Sequence, residues 1–70
     1  MNLVHTEPYK GYEIRIYVWA MPNKSYVGMY EIYPSEKLAE RGITKGGFVI
    51  AEKPEEAALE SAKAWLDSQC

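Results

Sequence analysis

Residues 12–20 alternate with a period of two. Tyr12, Ile14, Ile16, Val18 and Ala20 share one side, while Glu13, Arg15, Tyr17 and Trp19 share the other. This period predicts a strand with two unlike faces, one aliphatic and one carrying charges and large aromatics. Met21-Pro22-Asn23-Lys24-Ser25 breaks the pattern, because Pro cannot continue a central ladder and Asn and Ser favour turns. A second alternating run follows over residues 26–33 and stops at Pro34.

Side-chain compatibility sets the register of this hairpin. With Val18 facing Gly28, Ile16 faces Tyr30 and Ile14 faces Ile32 on the aliphatic side. On the other side Arg15 lands opposite Glu31, Tyr17 opposite Met29 and Trp19 opposite Val27, with Arg15 and Glu31 expected to form an ion pair. A slip of one residue would drive Glu31 among the isoleucines.

Phe48-Val49-Ile50-Ala51 is a brief apolar run after Gly46-Gly47 and reads as a third strand. The connection before it has two readings. Ser35 caps a short helix over residues 36–41 that Gly42 ends, or the stretch is an open loop. Pro54 then suits the first position of a helix, and Glu55 and Glu56 suit its positive end. Ala58, Leu59, Ala62, Trp65 and Leu66 fall on one stripe, with Glu55, Glu60, Lys63 and Asp67 outside it. Small residues in the stripe bring the helix close to the sheet, and Trp65 is expected to fill the space above Gly28.

The expected fold is α+β, a three-stranded antiparallel meander packed on one face by a single C-terminal α-helix (β-β-β-α). It is one domain over 1–70. Residues 1–8 are a loose lead-in, 9–52 the three-stranded sheet and 54–69 the helix. One helix covers one side of such a sheet. The other side presents Arg15, Tyr17, Trp19, Val27, Met29 and Glu31, with Glu13 and Tyr33 beyond them and Val49 and Ala51 expected from the third strand. Trp, Tyr, Met and Arg are enriched in protein interfaces, and apolar patches with a polar rim mark them.

Composition narrows the function classes. With 8 Lys and Arg against 10 Asp and Glu the net charge is −2, which disfavours a sequence-independent grip on nucleic acid. Aromatics on an open sheet can nevertheless stack bases, and Lys10, Arg15 and Lys24 are the cations placed to meet phosphates. The single cysteine, Cys70, cannot form an internal disulfide, and no apolar run is long enough to span a membrane. The N-terminal stretch lacks the layout of a signal peptide, so the expected location is the cytoplasm.

Catalytic chemistry finds little to work with. The only histidine, His5, precedes Thr6 and Glu7 in the lead-in, and Ser25, Ser35, Ser61 and Ser68 lack a nucleophile-elbow context. One His and one Cys do not make a zinc site. Glu52, Glu55 and Glu56 are accounted for by the helix dipole, while Gly42 and Gly46-Gly47 lack the Lys-Ser/Thr ending of a phosphate loop. The chain is therefore expected to be non-enzymatic, without metal or cofactor.

Tyr9-Lys10-Gly11-Tyr12-Glu13-Ile14, together with Pro54-Glu55-Glu56-Ala57 and the late Trp65, resembles a group of small uncharacterised bacterial β-β-β-α domains. They begin with Y-x-G-Y-x-I and end in a helix carrying E-E-A, and the resemblance implies fold and bacterial origin but no activity. A looser resemblance is to HicB-type antitoxin domains, which share a β-β-β-α core and an E-A helix. Those domains carry Gly-Cys near the third strand and a Ser or Thr cap, where this chain has Phe48-Val49-Ile50-Ala51 and Lys53. The functional expectation is a module that binds a protein partner, or a second copy as a homodimer, through the open sheet face. A toxin-binding antitoxin or a single-stranded nucleic-acid module is the alternative.

Overall fold

The computed structural model describes residues 2–34 and 44–69, so the alternatives for residues 35–42 lie outside the described residues. Strands β1 (Asn2–Tyr9), β2 (Tyr12–Ala20), β3 (Tyr26–Pro34) and β4 (Lys45–Ile50) form one antiparallel sheet in chain order. Helix α1 (Pro54–Gln69) closes the chain. The architecture is α+β, with four strands where the sequence predicts three.

The additional strand is β1, built from residues 2–8 of the expected lead-in together with Tyr9. Lys10 and Gly11 have φ of 50° and 82°, the left-handed pair of a two-residue hairpin turn whose twist matches its flanking strands. Lys10-Gly11 therefore joins β1 to β2. Pro8 is tolerated because β1 is an edge strand. The next hairpin keeps its turn with a bond from Lys24 N–H to the Met21 carbonyl (3.0 Å), while Asn23 Oδ1 accepts from Ser25 N–H (3.2 Å).

The β2–β3 register is the expected one: Ile14↔Ile32, Arg15↔Glu31, Ile16↔Tyr30, Tyr17↔Met29, Val18↔Gly28 and Trp19↔Val27. Ile14, Ile16 and Ile32 are fully buried beneath Ala58, Ala62 and Leu66 of α1, with Tyr30 completing the core. Burying each such aliphatic side chain is worth about 1.5–3 kcal/mol.

Trp65 does not fill the space above Gly28. A Cβ at Gly28 would meet the carbonyl oxygen of Pro54, with the Pro54 carbonyl carbon at 2.8 Å and Ala58 Cβ at 3.1 Å. The first turn of α1 rests on Gly28, and Trp65 packs against the core farther along as a partly buried residue. The α1 carbonyl ladder starts at Lys53, whose oxygen accepts from Ala57 N–H (3.0 Å).

Charged groups hold β1 to the helix. Lys63 Nζ donates to Glu7 Oε2 (2.6 Å), and Glu7 Oε1 lies 3.0 Å from His5 Nε2. The Tyr9 hydroxyl donates to Asp67 Oδ1, which also takes Lys10 Nζ, both at 2.8 Å. Lys63 sits 5.2 Å from the Tyr9 ring centroid, a cation–π distance. These contacts hold both carboxyls below their ordinary values. For Glu7 the main cause is the bond from Lys63 and for Asp67 the bond from Lys10.

Candidate interaction face

The sheet side away from α1 divides into an apolar half and a polar half. Cross-strand pairing aligns Leu3, Tyr17, Met29 and Phe48 in one row, and Trp19, Val27 and Ile50 in the next. Phe48 and Ile50 are 71% and 66% exposed, and Leu3 is 52% exposed. Tyr17, Trp19 and Met29 are half-buried by their neighbours. Val27 is buried, flanked across the strands by Trp19 and Ile50, so it supports the patch from below rather than offering surface.

The most exposed part of the patch thus lies on β4, at residues the sequence reading placed on the wrong side. Val49 and Ala51 were the expected contributors. The register Gly28↔Val49 instead puts Val49 with Gly28 on the helix side, where it packs against the core. Phe48, opposite Met29, and Ile50, opposite Val27, face outward. The missed signal was the need for a small residue beside a large ring. Tyr30 crowds Gly47, where a Cβ would sit 2.6 Å from the hydroxyl and 2.7 Å from Cζ. That contact assigns Gly47 to the helix side and so sets the phase of β4.

In the polar half, Arg15 and Glu31 are cross-strand neighbours as expected, but the ion pair is different. Arg15 Nε donates to Glu13 Oε2 at 2.6 Å, two residues along its own strand, and the guanidinium lies 4.9 Å from the Tyr33 ring centroid. The Tyr33 hydroxyl donates to Glu31 Oε1 (3.2 Å). Burial, then the adjacent Glu31 carboxylate, pushes the phenols of Tyr17 and Tyr33 above their ordinary range. The Glu13 bond raises the affinity of Arg15 for its proton. Glu13 and Glu31 outnumber the single guanidinium, so this half offers phosphates no net attraction.

Elsewhere, a hollow of about 390 Å³ lies between the start of α1 and the far ends of β1 and β2, lined by Val4, Val18, Tyr26 and the 52–56 segment. A second hollow of about 450 Å³, sharing Tyr26 and Glu52, flanks β4. His5 serves the β1 clamp, bonded to Glu7. Among the described residues no three His, Cys, Asp or Glu side chains are grouped as a metal ion would require, and no helix is long and apolar enough to cross a membrane.

No family model, curated protein or solved structure matches the chain. The two resemblances therefore rest on their short motifs alone.

Proposed function

We propose that this chain is a non-enzymatic bacterial module that binds another protein through the uncovered side of its sheet. The observation that carries the reading is the apolar row Leu3, Tyr17, Met29 and Phe48, extended by Trp19 and Ile50, with its most exposed members side by side on β4. Leaving Phe48 and Ile50 wet has a cost in water that a partner removes, at about 25 cal/mol per Å² of apolar surface covered. The Glu13, Arg15 and Glu31 rim would then fix orientation more than add affinity.

Aromatic stacking of single-stranded nucleic acid is the weaker reading, since Arg15 is engaged by Glu13 and the rim carries more carboxylates than cations. The two separate by photo-crosslinking. A photoreactive residue at Met29, in the middle of the row, is compared with one at Ala64, exposed on the helix. A polypeptide adduct from position 29 and none from 64 supports the proposal. Nucleic-acid adducts, equal yields from both positions, or no adduct would overturn it.

A further inference from the structure

We infer that the outer edge of β4 pairs antiparallel with β4 of a second copy, joining two sheets into one. This goes beyond the face reading, because it uses the backbone of an edge strand rather than the surface of the sheet.

The two edges of the sheet differ in how they are protected. β1 carries a bulge between Leu3 and His5, a proline at position 8, and an acidic side chain at Glu7 tied to Lys63. Each of these discourages strand addition. β4 carries none of them. Its ladder to β3 runs without a shift from Val27↔Ile50 to Ile32↔Lys45, and residues 46–51 contain neither a charge nor a proline. Among the described residues no strand pairs with its outer side.

The geometry of the ladder says which groups face outward. Ala51 N–H donates to the Tyr26 carbonyl (3.1 Å), continuing the β3–β4 register by one pair. Hydrogen-bonded pairs alternate along an antiparallel ladder, so Val49 and Gly47 bond to β3, while Gly46, Phe48 and Ile50 turn their N–H and C=O outward. A two-fold axis at Phe48 pairs it with Phe48 of the second copy and places Gly46 opposite Ile50 in both directions. The missing side chain at Gly46 leaves room for that isoleucine.

Charge selects the same arrangement. Lys45 opens the strand, and Glu52, Glu55 and Glu56 with Lys53 make its far end acidic. An antiparallel partner sets each Lys45 opposite the other copy's Ala51, at its acidic end, whereas a parallel one would set like ends together. Pairing also joins the apolar rows of the two sheets across Phe48 and Ile50.

The test is sedimentation of the full chain from low micromolar to millimolar concentration, with amide exchange read residue by residue. The expected result is a dimer in which the Gly46, Phe48 and Ile50 amides gain protection as concentration rises. Gly47 and Val49 should be protected throughout. Phe48→Pro removes an outward N–H without touching the β3 ladder, and should give a folded monomer. Met29→Glu, which alters only the face, should leave the dimer intact. A monomer at every concentration overturns the inference. So does a dimer whose outward amides exchange freely and that Met29→Glu dissolves; that result would instead support face-to-face pairing and leave the proposed function standing. Capture of a foreign strand by β4 without self-pairing also overturns it.

Discussion

The carbonyl of Pro54 occupies the space that a β-carbon on Gly28 would take, so the first residue of the helix meets β3 near its start with no side chain between them. This close approach sets the distance between the layers and leaves no volume for a methyl group.

Gly28→Ala should therefore destabilise the fold by about 1–3 kcal/mol, the usual cost of forcing extra carbon into a packed core. The clash is with backbone, so no side chain can rotate away from it. Urea denaturation checks this, with a lowered midpoint expected, and an unchanged midpoint would place α1 farther from β3.

Gly47 makes a different kind of contact, against the ring of Tyr30, which is itself 8% exposed. Gly47→Val should displace that ring from the core and lower the melting temperature. Adding Tyr30→Leu should recover part of the loss, because the two positions share one space. Strictly additive losses in the double variant would contradict the contact.

Leu66 is 1% exposed, whereas Trp65 packs on the core from its margin. Leu66→Ala should cost about 2–5 kcal/mol, the range for truncating a buried leucine. A 70-residue fold has only about 3–10 kcal/mol in total. Trp65→Ala should cost less than Leu66→Ala in matched denaturation curves, and the reverse order would put the indole at the centre of the core.

The clamp between β1 and α1 gives an acid-sensitive contribution. Glu7 and Asp67 have folded pKa values below their unfolded ones, mainly through Lys63 and Lys10 respectively. Their stabilisation is therefore present above the ordinary carboxylate range and is lost as pH falls through it to the depressed values. Both sites are solvent-screened, so the effect should be modest and weaken with salt. Melting temperature measured from neutral to acidic pH should fall less steeply in Glu7→Gln with Asp67→Asn than in the unsubstituted chain. Parallel curves would contradict the clamp.

The β2–β3 hairpin and the extent of α1 were legible in the sequence because each carries a marked period. A single register keeps Glu31 away from Ile14 and Ile16, and Pro54 marks the helix start. β1 was not legible because two of its three helix-facing positions, His5 and Glu7, are polar and satisfied by each other and by Lys63, leaving Tyr9 as the one that packs on the core. The phase of β4 was hidden because Gly46 and Gly47 have no side chains to mark a face and the next residues are uniformly apolar. The register Gly28↔Val49 and the contact of Gly47 with Tyr30 together place Phe48 and Ile50 away from the core. The candidate face was thus readable in β2 and β3, but not at its most exposed end. The Arg15 partner was misread because its long side chain can reach along its own strand to the carboxylate of Glu13 as well as across the ladder to Glu31.

The reading of the uncovered sheet as a protein-binding surface is tested most directly by affinity for the polypeptide trapped from position 29. Met29→Glu is compared with Ala64→Glu, both checked for an unchanged fold by circular dichroism. A charge in the middle of the apolar row should weaken binding by about thirtyfold or more, the loss expected at an interface hot spot, while the helix substitution leaves affinity unchanged. Equal affinities for the two variants would contradict the account.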